Sequence, residues 1–241
     1  MPFPFFYTET LSHSENIVLL SEENSKYIVQ VLRMQNGEQL KLTDGKGNIY
    51  AAEITEAHKK KCIVKVTETN IVEPPGSKVC VAVSPVKNNS RFEWFLEKAT
   101  EMGVTEIVPL ICARTEKQHF RYDRMRGILI SAMLQSQQAW LPILNEPVKF
   151  NDFIKSSAEI HRKKYIAHCA EESKTSLKSV VAEQATESPN ESVILIGPEG
   201  DFTSDEITLA LHADFIPVAL GNTRLRTETA ALVAAALLCV E

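Results

Sequence analysis

Long hydrophobic runs are missing from this chain of 241 residues. No stretch approaches the roughly 18 apolar residues that a membrane helix needs. The longest, from Ala230 to Val240, reads as a buried helix. The amino terminus is apolar as far as Tyr7 but has no basic start and soon meets Glu9, so no secretory signal is expected and a cytoplasmic location is. Cysteine is sparse and scattered: Cys62, Cys80, Cys112, Cys169 and Cys239 form no C-x-x-C pair, and the six histidines make no ligand spacing with Cys, Asp or Glu. No metal site is expected, and the thiols read as buried and reduced. Phosphate cradles are missing too. There is no G-x-x-x-x-G-K-[ST], no G-x-G-x-x-G and no G-x-S-x-G, which disfavours a kinase, a dehydrogenase on a doubly wound sheet, or a hydrolase. Nor is there an excess of positive charge. A net charge of −5 argues mildly against nucleic acid, although a local basic face can coexist with an acidic remainder.

What is present is a folded chain, 44% hydrophobic and 24% charged. The first 72 residues read as all-β. Gln39 to Thr43 alternates, Asp44-Gly45-Lys46-Gly47-Asn48 is a turn cluster, and Ile49 to Ile54 follows as a second strand, which predicts a hairpin. Cys62 to Thr67 is another alternating run, and Ser25 to Met34 reads as a short helix or turn. Together these predict a small barrel. Glu73-Pro74-Pro75-Gly76-Ser77 ends that region. From 73 to 241 strands and helices alternate, which predicts an α/β domain with a mostly parallel sheet. Val79 to Val83 is an apolar run suited to a covered parallel strand. Ser90 and Glu93 have capping-box spacing ahead of a helix that Gly103 stops. Val104 to Ile111 is the next strand, and a helix is expected over about 121–139. Strands follow at 164–168, 192–196 and 215–220. Thr203 and Glu206 make a second capping box, and Thr227 is placed to cap a final helix from Glu228 to Val240.

Ligands of such sheets sit outside the carboxyl ends of the strands. Two strand ends are chemically specialised. One is Leu195-Ile196-Gly197-Pro198-Glu199-Gly200-Asp201-Phe202, where glycine permits close approach of a ligand to the backbone and proline fixes the turn. A plain strand-to-helix turn would use the same residues. The other is Leu220-Gly221-Asn222-Thr223-Arg224-Leu225-Arg226-Thr227-Glu228-Thr229-Ala230. Two arginines and a glutamate exceed what a turn requires, although a solvated loop with an internal ion pair would also accommodate them.

With these residues in view, the chain resembles the RsmE family, the 16S rRNA (uracil(1498)-N(3))-methyltransferases of the SPOUT class. The resemblance runs through Val31-Leu32-Arg33 with Gly37-Glu38, Lys87, FLEKATEMG at 95–103, Ile107-Val108-Pro109, Arg114, Gln135-Ser136 with Pro142, IGPEG at 196–200 and LGNTRLRTETA at 220–230. It implies a trefoil-knotted α/β domain at 73–241 that binds S-adenosyl-L-methionine, a PUA-like barrel at 1–72 that helps bind RNA, and a homodimer. It assigns the cofactor to the loops at Leu195–Gly200 and Leu220–Ala230, Thr229 included, with His168 as a weaker wall; an ordinary strand-end histidine is the other reading of His168. Three positions depart from the family pattern: Tyr27 replaces a common His, Gln138 a common Arg and Asp201 a common Gly. The first two bear on RNA contacts.

The implied reaction moves a methyl group from a sulfonium to N3 of a uracil, which is mostly a matter of positioning. An arginine stays protonated and cannot act as a base, but it can stabilise the charge that develops on the uracil oxygens. Arg226 is given that role. Glu228 or Glu199 would accept the N3 proton, or would instead cap a helix or orient backbone. Arg33, Lys41, Lys87, Arg91 and Arg114 are the candidate RNA contacts, joined by Lys59-Lys60-Lys61, which also reads as a solvated turn. Other readings are a methyltransferase of another RNA, such as transfer RNA, and a non-catalytic RNA-binding assembly factor.

Overall fold

A computed structural model describes residues 3–9, 16–116, 119–157, 162–170, 174–183 and 191–239. Val240, the expected last residue of the final helix, lies outside them. The chain divides into two compact units, residues 1–74 with 133–141, and residues 75–132 with 142–241.

In the first unit β1 (Phe5–Tyr7), β2 (Ile17–Leu19), β3 (Gln39–Thr43), β4 (Asn48–Glu56) and β5 (Ile63–Ile71) form one sheet in the order β1-β3-β4-β5-β2. All its pairings are antiparallel except β1 with β3. The expected hairpin is β3–β4, with Leu42 opposite Tyr50. Register shifts after Ala51 and Ile54 bend β4 against β5. Among the described residues no ladder joins β1 to β2, so hydrogen bonding leaves the sheet a half-barrel. The segment read as a helix or turn is α1 (Glu22–Lys26), capped by the Ser21 hydroxyl, running into one π-helical turn at Tyr27–Val31. It drives Ile28 into a core with Leu40, Leu42, Ile54 and Val64. Trp140 belongs to this unit. Its indole N–H donates to the carbonyls of Val72 and Glu73, at 3.1 and 3.0 Å.

The second unit is built on parallel strands. After β6 (Lys78–Val83) come α2 (Asn89–Glu101), β7 (Glu106–Ile111), α3 (Tyr122–Gln135), β8 (Ile143–Leu144), β9 (Val148–Lys149), α4 (Phe150–Ser157), β10 (Lys163–Ala167), β11 (Thr175–Ser176), α5 (Leu177–Glu183), β12 (Glu191–Ile196), α6 (Ser204–His212), β13 (Ile216–Ala219) and α7 (Thr227–Cys239). The sheet order is β11-β13-β10-β12-β6-β7-β8, with β9 also on β7, and every pairing is parallel. Val81 and Ile194 pair at its centre with no exposure, as continuous apolar runs predict. The chain therefore reverses direction across the sheet, and β12 is inserted between β10 and β6.

Several local expectations need correction. Helix α2 is capped by Asn88, whose side chain accepts from the Ser90 amide, and not by Ser90. The capping-box partner Glu93 is instead held by Arg124. The second box is as expected, with Thr203 and Glu206 satisfying each other's amides. Helix α3 ends at Gln135 and not near 139, because Gln137 turns to φ +57 and Trp140 is needed elsewhere. Cys62, Cys80 and Cys112 are buried, but Cys169 is exposed and Cys239 only half-buried. Burial pushes the Cys239 thiol up to about 12 and the Cys80 and Cys112 thiols well above the usual range, so these three stay protonated at neutral pH.

Candidate active site at the carboxyl ends of three strands

Strands β13, β10 and β12 are neighbours, and the chain leaves all three at the same end of the sheet. Two adjoining clefts form there. One, of about 360 Å³, lies among residues 167–169, Lys174 and 218–225, with Ala230. The other, of about 330 Å³, lies among Ile196, Gly197, Pro198, Glu199 and Asp201 on one side and residues 224–227 on the other. Ala167, Cys169, Arg224, Leu225 and Ala230 line both. Both fall within the size range of small-molecule sites.

The loops are held by contacts between them. Thr227, expected as a helix cap and as part of the cofactor loop, lies within α7 and donates its hydroxyl to the carbonyl of Gly197 at 3.0 Å. This hydrogen bond joins the two glycine loops directly. The loop after β12 is anchored by Phe202, which is buried and packs on Phe150 with ring centroids 5.5 Å apart. The sequence reading gave the glycines here to close approach of a ligand. The structure gives two of them to the protein's own side chains. A Cβ at Gly197 would meet the Phe202 ring at 3.1 Å, and one at Gly200 would meet Cδ of Arg114 at 3.2 Å. Gly221 differs, with open space around it and φ +153, so backbone conformation demands glycine there.

The basic residues expected on RNA divide into two sets. Arg33 and Lys41 are exposed in the first unit, as are Lys59, Lys60 and Lys61, and Arg33 holds φ +57 just after the π turn. Lys87, Arg91 and Arg114 gather at the site and are partly committed to it. The Lys87 amide donates to Glu199 Oε1 at 3.2 Å, while its ammonium pairs with Glu116. Arg91 lies 3.7 Å from Glu228. Arg114 donates to the carbonyls of Gly200 and Phe202, at 2.7 and 3.3 Å. In contrast, the guanidinium groups of Arg224 and Arg226 make no hydrogen bond or ion pair among the described residues.

Of the two candidate carboxylates, Glu199 lines the second cleft, whereas Glu228 lines neither and is buried beside Arg91 at the start of α7. Leu195, Gly200 and Thr229 also line neither cleft; Leu195 is fully buried in the sheet core. Sequence reasoning missed Lys174 as a site residue and gave Arg224 and Asp201 no role of their own. Arg224 carried a signal, because it stands two residues from Arg226 in the same loop. Lys174 carried none: it donates to the carbonyls of His168 and Ala170, at 2.8 and 2.7 Å, and the fold alone brings it there.

A larger cavity, of about 470 Å³, lies at the amino ends of β6, β7, β10 and β12. In its wall Arg162 pairs with Glu106 at 2.7 Å, and it also reaches Glu191 at 3.5 Å. Ligands of parallel sheets bind at the other end, so size does not make it the active site. Among the described residues no three His, Cys, Asp or Glu side chains gather as a metal ion would require, and no helix is long and apolar enough to cross a membrane.

The Thr227–Gly197 bond gives the first test of this geometry. Thr227→Val keeps the shape and removes the donor, leaving a buried carbonyl unsatisfied at a cost of about 1–3 kcal/mol. Thermal unfolding should register that loss, and affinity for the ligand of the clefts should fall with it. An unchanged melting temperature would mean that the two loops are held without this bond.

The chain is similar to known proteins over both of its parts. Residues 73–239 match the RNA methyltransferase domain family, and residues 20–67 match the RNA methyltransferase PUA domain family. The chain is 31% identical to the ribosomal RNA small subunit methyltransferase E of a Synechocystis species, over 92% of this chain and 72% of that one. Among solved structures it is similar to a probable rRNA-methyltransferase from Porphyromonas gingivalis, at 35% identity and a TM-score of 0.86, covering 97% of this chain and 95% of that one. It is also similar to a putative methyltransferase from Legionella pneumophila in complex with the bound cofactor SAM, at 29% identity and a TM-score of 0.84, covering 99% and 97%. With both domains matched in order and the glycine loops joined at the strand ends, the chain belongs to the RNA methyltransferase family of the RsmE type.

Proposed function

We propose that this protein transfers the methyl group of S-adenosyl-L-methionine to N3 of a uridine in 16S ribosomal RNA, position 1498 in the family's naming. The observation that carries this reading is the junction of the two glycine loops by Thr227 and Gly197 at the carboxyl ends of three parallel strands. The chain's path supports a trefoil knot here: α7 follows β13 yet packs on β12 and β6, beyond β10. The residues fit the cofactor. Leu220, Gly221, Leu225, Ala230 and His168 in the first cleft provide apolar surface and backbone groups for an adenosyl moiety, while the adjoining cleft receives the base. When bound, the cofactor supplies an activated methyl group on a sulfonium.

The protein's share is positioning and electrostatics. Arg226, and Arg224 beside it, stand ready to meet charge developing on the uracil oxygens. Glu199 is the better placed proton acceptor. Its Oε1 is engaged by the Lys87 amide, and Oε2 is left for the N3 proton. Glu228 serves instead to hold Arg91 against the start of α7, where a carboxylate is also favoured by the helix dipole. Residues 1–72 act as the RNA-binding domain through Arg33, Lys41 and the lysines at 59–61, and residues 73–241 as the catalytic domain. A homodimer accompanies this reading: α7 is apolar from Ala230 onward, and Trp94 of the neighbouring α2 is exposed. A cytoplasmic location follows from the substrate.

The test is transfer of labelled methyl groups to small ribosomal subunits from cells lacking the activity, followed by nucleoside analysis. Labelled 3-methyluridine at one position is expected. Cofactor binding without label on these subunits would redirect the activity to another RNA such as transfer RNA. Absence of cofactor binding would leave a non-catalytic RNA-binding factor.

A further inference from the structure

We infer that Asp201 is a positioning residue for the cofactor, clasping the wall after β10 to the loop after β12. The inference rests on the cofactor reading above. Asp201 is a non-glycine residue at φ +63, a conformation that L side chains rarely adopt. Three hydrogen bonds hold it there. Its amide closes the turn onto the carbonyl of Pro198 at 2.9 Å, and its carboxylate accepts from two backbone amides on different elements. Oδ1 takes the amide of Phe202 at 2.9 Å, and Oδ2 takes the amide of Cys169 at 2.8 Å. Phe202 is the buried anchor of one loop, and Cys169 lines both clefts.

Asp201 thus joins the segment at 168–170 to the loop after β12. Lys174 also ties this segment, but only to itself, through the carbonyls of His168 and Ala170. The carboxylate spans the cleft between Cys169 and Pro198, so its loss frees that wall. Both oxygens are needed. An asparagine has one acceptor oxygen and an NH2 group that cannot accept from an amide, so Asp201→Asn keeps one bond and Asp201→Ala keeps neither. Asp201→Gly also loses both, but it relaxes the backbone.

The test measures the protein in two ways. Amide hydrogen exchange, without any ligand, should show the Cys169 N–H protected in the wild type and exchanging at least tenfold faster in Asp201→Ala and Asp201→Gly, consistent with loss of a charge-assisted bond. Calorimetry with S-adenosyl-L-methionine should show binding weakened roughly tenfold in both variants and less in Asp201→Asn. In turnover, KM for the cofactor should rise while kcat changes little. Asp201→Gly serves as the control for folding, since it removes the positive-φ strain. Equal cofactor affinity in the wild type, Asp201→Ala and Asp201→Gly would overturn the inference, as would a Cys169 amide equally protected in all of them. A wild-type protein that binds no S-adenosyl-L-methionine would instead overturn the cofactor reading and this inference with it, even where the exchange data show the clasp.

Discussion

Replacing Arg226 with alanine is expected to lower kcat for RNA methylation by roughly 10²–10³-fold, the usual effect of deleting a group aimed at developing charge. Cofactor affinity should change by no more than about threefold, because the cofactor is given to backbone and apolar groups. The structural argument is one of availability. Arg91 is paired with Glu228, Arg114 is spent on two loop carbonyls, and Arg124 and Arg162 are held by glutamates. Arg226 lines the second cleft with no bond to its guanidinium among the described residues. Its own carbonyl starts α7 by accepting from the Ala230 amide at 2.8 Å, a bond that alanine keeps. The helix should therefore survive, and circular dichroism should be unchanged. Arg226→Lys restores charge but not the planar fork, so a partial return of rate is expected. Undiminished turnover in Arg226→Ala would remove the electrostatic role and pass it to Arg224.

Replacing Gly47 with alanine is expected to destabilise the first unit by about 2–4 kcal/mol, the sum of a left-handed backbone and overpacking. Gly47 has φ +92, and its absent Cβ would fall against the Trp140 ring, 2.7 Å from Cε2 and 2.9 Å from the carbonyl of Val72. The Gly47 amide donates to Ala139 and its carbonyl accepts from Val72, so the strain cannot be relieved by moving the turn. Stability falls by several degrees of melting temperature at these magnitudes. Differential scanning calorimetry would read it, with cofactor affinity as the control, since both clefts lie in residues 142–241. A melting temperature within about one degree of the wild type would show that Trp140 yields easily and is not the staple it looks to be.

Both expectations rest on contacts that differ in how far the sequence announces them. Periodicity made most of the second unit legible. Apolar runs gave β6 and β12, helical spacing gave α2, and Thr203 with Glu206 capped α6 as their spacing requires. Boundaries slipped where a longer-range partner competed. Glu93 had capping-box spacing, yet Arg124, 31 residues away, took its carboxylate and left the cap to Asn88. Helix α3 ended early at Gln135, with Gln137 at positive φ, and residues 133–141 count with the first unit. Within the site, the two glycine loops were legible because glycine, proline and arginine are costly to place without reason. Asp201 stood in the sequence only as a departure from the family pattern, and the position of the Cys169 amide gives its second carboxylate oxygen a use.

The sequence by itself determined the class of fold, the order of its two parts and the two loops where chemistry would be found. Those follow from local rules: hydrophobic period, caps, turn residues and motif spacing act over a few residues and survive without knowledge of the rest. The tertiary structure decided which charges remain available and which are consumed. Arg91, Arg114 and Arg226 are indistinguishable as arginines in a row of letters. Their partners lie between 86 and 137 residues away or are absent, and only the folded parallel sheet brings those partners within bonding distance.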